Sequence, residues 1–354
     1  MKDLINILDL SISDIDELIK VATDIKAHPT KYADACRGKT LATLFFEPST
    51  RTRLSFEAAM YGLGGNVLGF ADGGRMSSAS KGETVSDTAR IVSIYADIIA
   101  MRHHIEGAPL AAGLAARVPV INAGDGGHFH PTQTLADLLT ISSECGRLNN
   151  LTIGICGDLK YGRTVHSLIA AMSRYQNIRF ILISPASLAL PEYVIREMNA
   201  AGIEYVQTTS LTKYMSELDV LYMTRVQKER FDADELAQDD GEGYILNNET
   251  LSTAKPEMRI LHPLPRVDEI AVEVDRDPRA KYFEQAEYGK FIRMALILRL
   301  LYSSGKDESI KTLKAETKCP NDRCIVAVEP EIERHAYLAP DGKLRCLYCD
   351  AALE

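Results

Sequence analysis

Two groups of cationic side chains, far apart in the chain, set the chemistry that this sequence can do. The first is Phe46-Glu47-Pro48-Ser49-Thr50-Arg51-Thr52-Arg53. An apolar run, Leu41 to Phe46, ends at the proline, and a helix-like segment opens at Leu54. Free backbone N–H groups, side-chain hydroxyls and the guanidinium forks of Arg51 and Arg53 then meet at a helix N-terminus, which suits a phosphate. A serine-capped helix with surface arginines is the plain alternative. Arg102 follows a second apolar run. His130 follows the Gly124-Asp125-Gly126-Gly127 turn, with Gln133 one helical turn on. Strand ends of this kind are where α/β sheets present ligand contacts. The polar segment from Arg75 to Thr84, with Ser77 and Lys81 among small residues, reads as a loop before a helix.

The second group suits a dicarboxylate. Gly157-Asp158-Leu159-Lys160-Tyr161-Gly162-Arg163-Thr164 follows a strand-like run but lacks the glycine spacing of a dinucleotide site and the Gly-Lys-Ser/Thr of a P-loop. It delivers Arg163. Met223-Thr224-Arg225-Val226-Gln227 delivers Arg225 and Gln227, which can share one side of extended backbone. Two guanidinium forks can each take a carboxylate bidentately; surface ion pairs to Asp158 or Glu229 are the rival use. In His262-Pro263-Leu264-Pro265-Arg266 the prolines suppress helix and hold a turn able to offer carbonyl oxygens. Together the two groups point to group transfer from a small acyl phosphate.

A third set is metal-like. Cys319-x4-Cys324-x21-Cys346-x2-Cys349 pairs four thiols, with Pro340-Asp341-Gly342 as a hairpin turn between the pairs. Four thiolates suit a structural Zn²⁺, one per chain, which can fold a segment too short to build its own core. An iron site, or disulfides in an oxidising setting, are the alternatives. No organic cofactor is expected.

The elements that must position these residues follow from periodicity. Short apolar, β-branched runs at Leu41–Phe46, Asn66–Phe70, Ile98–Met101, Val118–Asn122, Leu151–Cys156, Arg179–Ser184, Glu204–Gln207, Val220–Thr224 and Ile260–Leu261 alternate with helical patterns such as Val85–Tyr95 and Gln133–Ser143. This predicts two doubly wound parallel-sheet α/β domains joined by helices, plus a small C-terminal zinc-binding β module. The expected bounds are 1–132 (with 289–305 packing back), 133–288, a linker over 306–318 and the module over 319–354. The 354 residues are 46% hydrophobic and 25% charged, with net charge −9. That balance argues against a nucleic-acid-binding body, so an anionic substrate needs a local arginine cluster. No apolar run reaches the ~20 residues that span a bilayer, and Met1-Lys2-Asp3-Leu4 does not read as a secretory leader. A cytoplasmic chain is expected.

In this order, F-x-E-P-S-T-R-T-R, S-x-x-x-K-G-E-T, H-P-T-Q, G-D-L-K-Y-G-R-T, T-R-V-Q and H-P-L-P-R resemble the catalytic chain of aspartate carbamoyltransferase, up to about residue 305. Ornithine carbamoyltransferase shares some of these motifs but usually carries H-C-L-P in the closing loop. The resemblance implies transfer of the carbamoyl group of carbamoyl phosphate to L-aspartate in pyrimidine biosynthesis. It implies that carbamoyl phosphate meets Ser49, Thr50, Arg51, Thr52, Arg102, His130 and Gln133, with Arg51, Thr52, Arg102 and His130 acting in catalysis. Aspartate would meet Lys81, Arg163, Arg225, Gln227, Pro263 and Leu264. Ser77 (with Ser78 and Ser80 beside it) and Lys81 would come from a neighbouring subunit, in a homotrimer or a multiple of trimers. Cys319-Pro320-Asn321-Asp322-Arg323-Cys324-Ile325 resembles the zinc domain of that enzyme's regulatory chain, whose nucleotide-binding domain has no counterpart here. The module is therefore expected to be structural and to buttress contacts between catalytic subunits. A carbamoyltransferase for another amine and a silent scaffold are the other readings.

Overall fold

The computed structural model describes residues 3–71, 82–225, 244–302, 312–339 and 342–353. Ser77, Lys81, Gln227, the first part of the expected linker and the Pro340-Asp341 turn lie outside the described residues. The chain forms two compact units, residues 1–132 with 290–354 and residues 133–289.

The first unit holds a parallel four-stranded sheet in the order β2-β1-β3-β4, from β1 (Thr40–Phe45), β2 (Asn66–Ala71), β3 (Ile98–His103) and β4 (Val120–Asp125). β1, β3 and β4 are almost wholly buried, because parallel strands linked through helices are covered on both faces. The helices are α1 (Ile12–Ala27), α2 (Thr50–Gly62), α3 (Val85–Tyr95) and α4 (Ala108–Ala115). α1 starts in a reciprocal cap between Ser11 and Asp14. β3 and β4 run past their sequence-based ends. Arg102 and His103 are the last strand residues, because pairing continues from Phe45 to Arg102 and from His103 to Asp125.

The second unit holds a parallel five-stranded sheet, β7-β6-β5-β8-β9, from β5 (Leu151–Cys156), β6 (Ile178–Ile183), β7 (Glu204–Thr208), β8 (Val220–Met223) and β9 (Arg259–Leu261). α5 (Pro131–Cys145) runs across the first boundary between the units, and α8 (Tyr282–Tyr302) across the second. α6 (Arg163–Met172) and α7 (Glu192–Ala200) belong to the second unit. Its core gathers Ile181, Met215, Leu221, Met258 and Ile260. At the far end of α8, Arg299 meets Glu17 at 2.8 Å and also pairs with Asp14, which fastens that end to α1 within the first unit.

The C-terminal segment forms a small antiparallel sheet of β10 (Leu313–Lys314), β11 (His335–Leu338) and β12 (Leu344–Cys346), with one short helix, α9 (Ile325–Val328). Strands this short do not enclose a core. Ile325, Val326, Tyr348 and the four cysteines instead complete a cluster with Val85, Ala89, Ala108 and Ala112 of α3 and α4.

Candidate active site

Because β1, β3 and β4 are parallel neighbours, their C-terminal ends share one edge of the first sheet. Ser49 to Arg53, Arg102 and His130 are carried on the segments leaving that edge. Ser49 is the cap residue of α2, yet its side chain caps no backbone N–H; the hydroxyl donates to Thr52 Oγ1 at 3.0 Å. The first-turn N–H groups are thus left without a Ser49 cap, in the place where an anion is favoured. Thr50 and Arg51 are exposed there. Arg53 instead donates along its own helix to Glu57 at 2.7 Å.

Arg102 is buried, with its guanidinium 2.9 Å from Glu47 Oε2 and donating to the Ala123 carbonyl at 3.3 Å. His103, the next residue, is neutral. Burial and the neighbouring His104 push it down to about 3 despite the charge of Asp125. His130 is also buried, with Nδ1 3.4 Å from Thr132 Oγ1. Thr132 also accepts from Arg293 at 3.2 Å. Gln133 donates to Asp137 Oδ1 at 2.8 Å.

In the second unit β5, β8 and β9 are parallel neighbours, and Arg163, Arg225, Pro263 and Leu264 leave their common C-terminal edge. Gly157, at φ +121°, sits so close to β8 that a Cβ would lie 2.2 Å from the Thr224 carbonyl. The close approach lets Thr224 Oγ1 accept from Asp158 N at 3.1 Å and donate to the Cys156 carbonyl at 3.2 Å. Asp158 in turn accepts from Tyr161 N at 2.8 Å, which shapes the turn into Arg163, the first residue of α6. Beyond β9, His262 accepts from Leu264 N at Nδ1 (2.7 Å) and donates from Nε2 to Glu269 (2.6 Å). Burial opposes the charge on Glu269, but the hydrogen bond from His262 and those from backbone N–H groups outweigh it and bring the carboxyl down to about 2. Leu264 takes a left-handed φ of +53° before a cis peptide to Pro265. His262 N donates to Gln285 at 2.9 Å, Gln285 to Asp137 at 2.6 Å, and Tyr222 to Asp137 at 3.0 Å. The closing loop thus stands on a buried polar chain.

The four C-terminal cysteines are buried free thiols whose sulfurs all lie within 4.8 Å of one another. Cys319 and Cys349 are 3.5 Å apart, and Cys324 and Cys346 3.8 Å, both far beyond a disulfide bond. Four convergent, buried soft donors fit a tetrahedral metal ion.

The family model "Aspartate/ornithine carbamoyltransferase, carbamoyl-P binding domain" matches residues 2–143, and its "Asp/Orn binding domain" counterpart matches residues 149–300. The chain is 58% identical over 302 residues to the aspartate carbamoyltransferase catalytic subunit of Lachnoclostridium phytofermentans, across 85% of this chain and 98% of that relative. This chain belongs to the family of aspartate carbamoyltransferase catalytic subunits. Among solved structures, the catalytic subunit of M. jannaschii aspartate transcarbamoylase superposes with a TM-score of 0.78 at 46% identity, over 85% of this chain and 98% of that one. The Trypanosoma cruzi enzyme in complex with carbamoyl phosphate and aspartate gives 0.79 at 40% identity, over 84% and 96%. Both family matches end before Cys319.

Beyond the aspartate carbamoyltransferase motif residues expected at the site, four supporting residues have roles that the sequence alone does not show. Glu47 lies inside the first motif, but only the fold turns it toward Arg102. Glu269 holds the closing loop from seven residues beyond His262, and Asp137 holds it through Gln285, 148 residues away in sequence. His128 donates to Asp125 at 3.2 Å and to Asp350 at 3.1 Å, across 222 residues of sequence in the second case. Burial opposes a charge on His128, yet the carboxylates of Asp125 and Asp350 push it up to about 10.

Proposed function

We propose that this chain transfers the carbamoyl group of carbamoyl phosphate to the amine of L-aspartate, giving N-carbamoyl-L-aspartate and phosphate. The observation that carries the substrate choice is the pair Arg163 and Arg225, on the segments that leave the C-terminal ends of adjacent parallel strands, Arg163 as the first residue of α6. Two guanidinium forks there match the two carboxylates of aspartate, whereas a cationic side chain such as that of ornithine would be repelled.

Ser49, Thr50, Arg51 and Thr52 hold the phosphate at the start of α2, with Ser77 and Lys81 supplied by a neighbouring subunit of a trimeric assembly. Gln227, Pro263 and Leu264 complete the aspartate contacts. The aspartate amine attacks the carbamoyl carbon. A C–N bond forms, the C–O bond to phosphate breaks, and the phosphate takes the amine proton. Negative charge gathers on the carbamoyl oxygen, where Thr52, Arg102 and His130 donate hydrogen bonds. Gln133 lies beside the carbamoyl group. Cys319, Cys324, Cys346 and Cys349 hold Zn²⁺, which cross-links the C-terminal segment and takes no part in the transfer. The chain works in the cytoplasm, where thiols stay reduced.

The test is formation of carbamoyl-aspartate from carbamoyl phosphate, run beside ornithine and other amines. Aspartate is expected to be the preferred acceptor. A higher kcat/KM for ornithine would overturn the proposal.

A further inference from the structure

The C-terminal module packs on α3 and α4, where Glu329 accepts from Val85 N at 2.8 Å, and its hydrogen bonds also reach two loops of the phosphate-side edge. Glu106, four residues after Arg102, exchanges backbone hydrogen bonds with the module: its N–H donates to the Arg323 carbonyl (3.0 Å) and its carbonyl accepts from Ile325 N (2.9 Å). Its side chain accepts from Asn321 at 2.6 Å. The second contact is Asp350 on His128, two residues before His130.

Asp125 ties these loops together. Its carboxylate accepts from Gly107 N, Phe129 N and Asn122 Nδ2, each at 2.9 Å, and from His128. The Gly124–His130 turn is closed further by His128 N to the Asp125 carbonyl at 3.0 Å. Asp350 is itself rigidly presented. It sits at a left-handed φ of +59° directly after Cys349, its N–H donates to the Cys346 carbonyl at 3.0 Å, and Tyr337 donates to its carboxylate at 2.9 Å.

We infer that Asp350 and His128 form a positioning pair through which the cysteine module holds the His130 and Arg102 loops in the geometry that receives carbamoyl phosphate. The module then acts on the substrate site of its own chain, besides any role between subunits. The inference rests on the proposed carbamoyl phosphate site, and neither residue touches substrate. Losing one charge-assisted hydrogen bond from such a pair corresponds to about a tenfold change in an equilibrium that depends on it.

Asp350→Asn keeps the shape and removes the charge. In the full-length, metal-loaded chain it should raise KM for carbamoyl phosphate about tenfold with kcat changed far less. Metal content per chain and melting temperature should match the wild type, and Asp350→Glu should recover part of the loss. His128→Ala should reproduce the effect, and the double variant should be no worse than His128→Ala alone, as expected of groups acting through each other. Amide exchange at Gly107 and Phe129 should quicken in Asp350→Asn. A wild-type KM and wild-type exchange in Asp350→Asn, or effects that multiply in the double variant, would overturn the inference. A wild-type chain with no carbamoyl transfer would instead overturn the proposed function, while the exchange measurement would still decide whether the pair holds the loops.

Discussion

The catalytic body and the C-terminal module reach order by different physical routes. In the body, strands such as Leu151–Cys156 and Ile178–Ile183 are apolar along nearly their whole length and bury themselves under helices. In the module the strands run from two to four residues, and its apolar side chains finish a core begun by α3 and α4. What the module has of its own is four converging thiols. A sheet core is a sum of many small burial terms, so it survives the loss of any one. A module organised on a single cluster has no such reserve.

Removing the proposed metal is the sharpest way to break that contrast. Structural zinc sites contribute on the order of 10 kcal/mol of folding free energy. A chelator strong enough to strip the cluster is expected to abolish amide protection in the module and expose its four thiols to titration, with both parallel sheets still protected. Protection surviving in the stripped module would erase the distinction.

Next in size is Arg51→Ala, which separates the chemistry of the body from its stability. Arg51 is exposed and outside the core, so the melting temperature should hold while kcat/KM falls about a hundredfold or more. Near-normal turnover would remove Arg51 from the phosphate site.

Acid should find a weak point in the body. Glu269 has a folded value of about 2 against an ordinary 4.5. Because the folded value is depressed, its contribution is complete above 4.5 and is lost as pH falls through about 2. Glu269→Gln should therefore cost roughly 2 kcal/mol near neutral pH, by denaturant midpoint, and almost nothing at the acid end of that window. An equal cost at both ends would mean that the carboxylate's charge is irrelevant.

The smallest effect probes the seam itself. Gly107 has φ +79°, and a Cβ there would lie 2.6 Å from the Tyr348 carbonyl oxygen. Gly107→Ala should cost about 1–2 kcal/mol in melting experiments. The loss of amide protection should centre on the module, and a loss centred on the second unit would be the wrong result.

Much of this molecule was legible in the chain alone. The alternation of apolar runs and helical patterns determined two parallel-sheet units, since a buried parallel strand needs continuous apolar sequence and a long return connection. Motif order likewise determined which segments leave the C-terminal edges, and the cysteine spacing determined two thiol pairs. Long-range pairing was decided only in three dimensions. No local pattern joins His128 to Asp350 or Arg102 to Glu47. Each pair joins groups on separate segments, and a charge alone does not reveal its partner. The reach of β3 to Arg102 and His103 was also hidden, because polar residues end an apolar pattern, whereas pairing to a neighbouring strand does not stop for them. Local sequence specifies what each segment prefers to become, whereas the partner of a buried charge depends on which backbones the packed core brings within hydrogen-bond reach.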